Sequence, residues 1–295
     1  MENYVSATAL PAVPRFTLIL TQNRRLRFIT FFYLYAMQGV PAGFALTALA
    51  NYLAAEGLRA DRIGTFVAMQ GLPWTFQFVW GPFLDKFQGS PMGRRRPWVV
   101  MAQFMAFLAS LSMLFIDDPA SNVMLLGLTF LVHGTFASIQ DASVDAMAIS
   151  TIPEQERGRI NAFMRGGFLV GTGVGAAGLS YMLRHQGFQT AVLTQSTFLL
   201  LATIVTFFIR ERPTDVLFPG QSRPTGQLAD KQQHDHSISW LFRELFRGLT
   251  ARRSLNLYLP ILLVYSAQEI FIRSYNVHLI QRLGWSDTAL SGLTG

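Results

Sequence analysis

Cysteine is absent from this 295-residue chain, and charge is scarce: Asp, Glu, Lys and Arg together make up 14% of it. The first absence removes disulfides, thiolate metal sites and cysteine nucleophiles. The second departs from the roughly 25% charged residues of a soluble domain. There is no phosphate-cradling Walker loop, no Gly-x-Ser-x-Gly elbow and no metal-ligating His/Glu cluster, so neither ATP-driven pumping nor hydrolase chemistry is indicated. Gly171-x-Gly173-x-Gly175 lies within an apolar run with no strand before it, so it is not a dinucleotide fingerprint. His234 and His236 flank Asp235 in a polar stretch that reads as a solvated linker rather than a metal site. No cofactor, no metal and no enzymatic activity are expected.

What the chain has is apolar length. Hydrophobic residues make up 51%, and the mean hydropathy is +0.30. Charges fall in short islands, and the stretches between them are long enough to cross a bilayer, which takes roughly 20 mostly apolar residues at about 1.5 Å each. Seven such stretches are expected, at 28–53, 63–84, 97–116, 123–149, 160–183, 188–209 and 255–280, with an eighth starting near Thr288. They are too long, and alternate too little, for the strands of a membrane barrel. Only helices and closed barrels satisfy every backbone amide in lipid, so the fold class is all-α membrane protein.

Lys and Arg set the expected orientation. Segments 1–27, 85–96, 150–159 and 210–254 hold 4, 4, 2 and 8 of the 24 basic residues. The opposite loops hold only Arg59, Arg62, Arg184 and Arg282, and Arg165 and Arg273 lie inside spans. The N-terminus is therefore expected in the cytoplasm, with the chain in the cell membrane, of the bacterial inner-membrane kind. Residues 1–27 show no apolar core or cleavage site of a signal peptide, so the first span is expected to direct its own insertion. The net charge of +7 is a topology signal, and no nucleic-acid partner is expected.

The organisation reads as a segment at 1–27, a six-helix bundle at 28–210, a linker at 211–253, and the start of a second bundle at 254–295. The linker is rich in Pro, Gly, Gln and charge. It ends in an amphipathic stretch in which Ile238, Leu241, Phe242, Leu245, Phe246 and Leu249 follow helical spacing. Such a helix rests on the membrane surface or docks under the bundle.

Polar residues inside spans carry the functional expectations, because an ionised group in the bilayer core costs about 2.5–3.5 kcal/mol and normally faces a partner or a wet cavity. Asp141 and Asp145 are four apart and share a helix face with Gly134 and Ser138. From helical rise, Asp145 lies roughly 8 Å deep, Asp141 roughly 14 Å and Arg165 roughly 9 Å from the same side. An ion pair of Arg165 with Asp145 or Asp141 is therefore expected, either as a packing device or as part of proton coupling. On the seventh span, Tyr265, Glu269, Arg273 and Asn276 form a polar stripe. Glu269, desolvated near mid-membrane, is suited to proton exchange, unless Arg273 simply neutralises it. His133 near mid-depth is a structural histidine or a relay. Gly167, Gly171 and Gly175, at four-residue spacing, are expected to let helices approach closely.

Several motifs then resemble a known family. Phe78-Val79-Trp80-Gly81-Pro82-Phe83-Leu84-Asp85-Lys86, followed by Gly93-Arg94-Arg95-Arg96, resembles the loop between helices 2 and 3 of the major facilitator superfamily. The long spacing from Asp85 to Gly93, with Trp98 after it, looks like the branch of AmpG-type muropeptide permeases and acetyl-coenzyme A transporters. Gln140-Asp141-x3-Asp145-Ala146, Glu156-Arg157-Gly158, Gly39-Val40-Pro41 and Arg165-Gly166-Gly167 are similar to that branch as well. Two positions depart from it: Gln77 and the neighbourhood of Ser266 lack the lysines that the branch often carries.

The resemblance implies a major facilitator fold, with helices 1, 4 and 7 lining a central cavity. Tyr35, Gln38, Asp141, Tyr265, Glu269, Arg273 and Asn276 are then cavity candidates. Asp141, Asp145, Glu269 and His133 are proton-coupling candidates, and Asp85, Lys86, Gly93, Arg94, Arg95 and Arg96 form a cytoplasmic gate. The implied activity is proton-coupled uptake of a small solute such as a muropeptide, with the lipid bilayer, solute and protons as partners. Sugar–peptide, peptide, siderophore and acyl-carrier solutes stay open. A non-transporting sensor or one half of a split transporter is the alternative. Twelve helices would need roughly 400–450 residues, so further C-terminal helices are expected, with the seventh helix and the residues after Asp287 only loosely attached to the first six.

Overall fold

The computed structural model describes residues 18–221 and 237–294, so His234, Asp235 and His236 lie outside the described residues. The described chain is helical. α1 is Arg24–Ala55, α3 Arg96–Phe115, α4 Val123–Thr151, α5 Glu154–Gln186, α6 Phe188–Phe208 and α8 Arg252–Leu283, all long and apolar enough to cross a membrane. α2 has two arms, Ala60–Thr75 and Trp80–Lys86, joined by a 3-10 turn at Gln77–Val79. α7 is the amphipathic helix Ile238–Leu249, and α9 is Asp287–Thr294.

The unbroken span expected at 63–84 is thus corrected: the second helix breaks at Phe76. Proline explains it. Pro82 has no N–H to give the carbonyl four residues back, and its ring crowds that carbonyl, so a straight helix through 78–82 is disfavoured and the chain kinks or breaks there. The chain restarts with Pro82 in the first turn of the second arm, where a missing N–H costs nothing.

α1 and α5 make the closest approach. An added Cβ at Gly167, Gly171 or Gly175 would fall 2.2, 2.1 and 2.1 Å from the carbonyl oxygens of Phe32, Ala36 and Val40. From the other side, one on Gly39 or Gly43 would fall 2.3 and 2.1 Å from those of Phe168 and Thr172. Backbone therefore lies on backbone over several turns, which only glycine permits. Each helix then relaxes into a π turn, at Phe44–Leu49 in α1 and at Val174–Gly178 in α5.

Many apolar side chains of α3, α4 and α6 point outward: Phe104, Leu108, Leu125, Leu128, Leu193, Leu201 and Ile204 are all exposed. A belt of this size on a soluble surface would be a liability, whereas lipid solvates it. The molecule is a multi-pass membrane protein.

One end of the bundle is rich in arginine. There Arg27 pairs with Glu156 at 2.7 Å, Arg24 joins the same carboxylate at 3.3 Å, and Leu20 donates its N–H to the Arg210 carbonyl at 2.9 Å. α7 docks at this end, with the Phe242 ring against Phe83 and the Phe246 ring against Phe78. The amphipathic helix thus touches the bundle through two rings, a docking compatible with a place on the membrane surface.

At the opposite end, the close of α8 and all of α9 pack on α1 and α5. Leu279, Ile280 and Leu290 join the core formed by Leu53, Ala54 and Leu183. The expected loose attachment is corrected for the end of α8 and for α9, whereas most of α8 is exposed. Asp287 and Ser291 are buried, whereas Tyr258, Leu262 and Tyr265 farther back on α8 remain exposed.

Candidate functional site

The α2 break matters because of what it carries inward. Gln77, in the turn, donates its amide Nε2 to Asp141 Oδ2 at 2.8 Å. Trp80, at the start of the second arm, donates its indole Nε1 to Ser138 Oγ at 3.0 Å. Asp141 and Ser138 stand on the same α4 face, and Asp145 follows one turn later. From α1, the Tyr35 hydroxyl donates to Asp145 Oδ1, and Gln38 lies beside Asp141. The Gln38 Nε2 atom is enclosed without a hydrogen-bond partner. Two helices, α1 and α2, thus deliver neutral donors to two half-buried carboxylates on α4. Neutral donors hold a carboxylate in place while leaving it free to take up a proton, which a fixed guanidinium would oppose.

The expected cation is elsewhere. Arg165 makes no ion pair with Asp141 or Asp145; it is exposed, and its guanidinium lies over the Phe168 ring at 5.5 Å. Matching depth was the basis for that pairing, but the buried face of α5 is the glycine face turned to α1, and Arg165 projects away from it. Gln77 fills the partner's place. His133 is buried, with Nδ1 3.0 Å from the Ala106 carbonyl of α3. It therefore faces the α3–α4 interface and not the acidic pair.

The α8 stripe is not brought to this cluster. Glu269 and Arg273 pair with each other at 3.2 Å, and the Arg273 guanidinium also donates to the Leu46 carbonyl inside the π turn of α1. Tyr265 is exposed and Asn276 buried. Among the described residues, no hydrogen bond or ion pair joins the stripe to Asp141 or Asp145.

The α2–α3 loop forms a second polar assembly at the arginine-rich end. Arg95 pairs with Asp85. Arg96 is almost fully buried; it donates to the carbonyls of Met92 at 3.2 Å, Val216 at 2.9 Å and Phe207, and lies over the Phe207 ring. Gly93 has φ +128°, where a side chain is strained and a Cβ would meet Glu211 Oε1 at 2.7 Å. Lys86 closes α2, and Arg94 is half-buried on the loop.

Glu211 organises this assembly. Its Oε1 accepts the backbone N–H groups of Arg95 at 2.7 Å and Arg96 at 2.6 Å, capping the start of α3. Burial pushes the Glu211 carboxyl above the ordinary range, and those two N–H groups pull the other way. Neither Glu211 nor the Trp80–Ser138 bond was legible in sequence. Glu211 follows the last turn of α6, more than a hundred residues from its partners, with no local pattern to mark it. Gln77 was visible only as a departure from the resembling branch.

The comparisons agree with this architecture. A family model described as Major Facilitator Superfamily matches residues 19–295. The anhydromuropeptide permease of Escherichia coli (strain K12) is 26% identical over 181 residues, 61% of this chain and 36% of that protein. The Rickettsia prowazekii (strain Madrid E) protein named Putative transporter AmpG 3 is 27% identical over 179 residues, 59% of this chain and 41% of its own length. A Haemophilus influenzae protein of undescribed role is 27% identical over 188 residues, 60% of this chain and 42% of its own. The matched part thus spans about two-fifths of these relatives. With a family match across almost its whole length, and the helical architecture to go with it, the chain belongs to the Major Facilitator Superfamily.

Proposed function

We propose that this chain forms the first six-helix bundle (28–210), the linker (211–253) and the opening helices of the second bundle (254–295) of a proton-coupled permease. Asp141 and Asp145 exchange the coupling proton, Tyr35 and Gln77 hold the pair, and Gln38 lines the solute path beside them. The observation that carries this reading is the acidic pair itself: two carboxylates one helical turn apart, supplied with neutral donors from α1 and α2 and, among the described residues, with no ion pair to a cation. An ionisable group in a span is costly and marks an ion or proton path by default. Glu269, paired with Arg273 on α8 at 3.2 Å, is the second coupling candidate and takes up a proton when that pair parts.

The solute is of the muropeptide class, on the strength of the relative named for an anhydromuropeptide. The arginine-rich end faces the cytoplasm, since 18 of 24 basic residues lie in the loops and segments assigned to that side. There Asp85, Arg95, Arg96 and Glu211 fix the α2–α3 loop as a gate. The deciding measurement is uptake of radiolabelled anhydromuropeptide into vesicles with an imposed proton gradient. The full-length protein accumulates it; Asp141→Asn and Glu269→Gln do not. Accumulation by both variants at the unmodified rate would leave the carboxylates a purely structural role.

A further inference from the structure

We infer that Arg184, Glu56, Asp287, Asn51 and Ser291 form a latch that holds the first bundle and the start of the second together at the end opposite the arginine-rich loops, and that the latch must part for that end to open. The inference rests on the transporter reading above and assigns residues to one of its steps.

Arg184 closes α5 and Asp287 opens α9. They meet through Nη2 at 2.9 Å and Nε at 3.2 Å, a two-pronged contact on one carboxylate oxygen. The same guanidinium reaches Glu56 at the end of α1 through Nη1 at 3.2 Å and lies over the Tyr52 ring. One turn deeper, Asn51 Nδ2 donates to Ser291 Oγ at 3.0 Å, with both residues fully enclosed. Gln281 Nε2 donates to the carbonyls of Ala54 at 3.0 Å and Leu58 at 2.8 Å, capping the end of α1. Leu279, Ile280 and Leu290 fill the space between.

The charged contacts and the capped carbonyls have substitutes when the helices separate, and Asn51 and Ser291 pass to water. Arg184 keeps Glu56, which belongs to the same bundle, so no charge is stranded. Asp287 sits in the first turn of α9, where the free N–H groups of a helix start favour a carboxylate. The Ala54 and Leu58 carbonyls pass to water. A closure built from replaceable polar contacts around a small apolar patch opens at modest cost, whereas the α1–α5 glycine seam, backbone on backbone, has no such alternative. The seam therefore moves as one body and the latch is the part that breaks.

These 295 residues contain no cysteine, so a pair made by Asn51→Cys and Ser291→Cys is the only thiol pair within them, and any cysteine elsewhere in the full-length protein is first replaced by serine. The full-length protein carrying it, with a protease site inserted within 222–236, is oxidised in membrane vesicles, cleaved and separated without reductant. The fragments stay joined after oxidation, part on reduction, and uptake is lost and regained in step. In a second measurement, Ser291→Cys alone is labelled slowly by a charged maleimide. Adding Arg184→Gln speeds labelling about two- to five-fold, the range of a partly exposed ion pair, while adding Arg253→Gln does not. Fragments that never join, a cross-link that leaves uptake unchanged, or labelling indifferent to Arg184→Gln would each overturn the latch. Cross-linking and labelling do not depend on the coupling proton or the solute. If the unmodified protein takes up no anhydromuropeptide, the function reading fails and these two readouts still judge the latch.

Discussion

Tyr35 and Gln77 illustrate how much of this site is decided by single donors. Tyr35→Phe removes the hydroxyl that Asp145 accepts from, and Gln77→Leu removes the amide bound to Asp141. Loss of one hydrogen bond to a charged group is worth about 1.5–3 kcal/mol, so each variant is expected to slow proton-driven uptake roughly ten- to a hundredfold without lowering the amount of protein in the membrane. Quantitative immunoblotting beside the uptake assay checks both halves of that statement. Glu211 offers a pH test outside the spans. Its carboxyl is raised by burial, so the folded state favours the protonated form. The associated stability is complete below the ordinary glutamate value of about 4.3 and is lost as pH rises through the raised value. Relative to Glu211→Gln, the unmodified protein should therefore lose unfolding temperature as pH climbs out of the acid range, in paired melts of detergent-solubilised protein. An unfolding temperature of the unmodified protein that rises relative to Glu211→Gln as pH climbs would reverse the sign and the assignment.

Helices bring a different kind of constraint. The α1–α5 seam depends on glycine at positions where the neighbour is backbone, and backbone cannot rotate away. Gly171→Ala places a methyl 2.1 Å from the Ala36 carbonyl oxygen, and overpacking of this sort costs about 1–3 kcal/mol. Gly166→Ala, one helical face away with nothing within 4 Å, should be neutral or slightly stabilising. Side-by-side unfolding of the two variants measures the seam directly. Sequence spacing exposed the three glycines of α5, and it contained the cause of the α2 break in Pro82. It did not disclose which helix α5 packs on, because four-residue spacing defines a face and not a partner. The same gap explains Arg165: helical rise gives a position along the axis, but the angle around the helix axis, which turns Arg165 away from Asp141, depends on which face the seam buries.

For the molecule as a whole, the charge asymmetry predicts that reporter fusions at residues 90 and 225 report the cytoplasm and a fusion at residue 118 reports the outside. An external signal at residue 225 would invert the orientation. Membrane class and the family resemblance followed from the order of residues along the chain, as did six of the seven expected stretches, which are long apolar helices in the structure. The reason is physical: bilayer thickness imposes a length and a hydropathy on each span separately, so the information is local and one-dimensional. The neutral donors around Asp141 and Asp145, the capping of α3 by Glu211 and the Arg184–Asp287 latch each join residues far apart in the chain through contacts a few ångströms long. Such contacts depend on helix rotation, on a proline break and on a glycine seam acting together, and they exist only once the helices are packed.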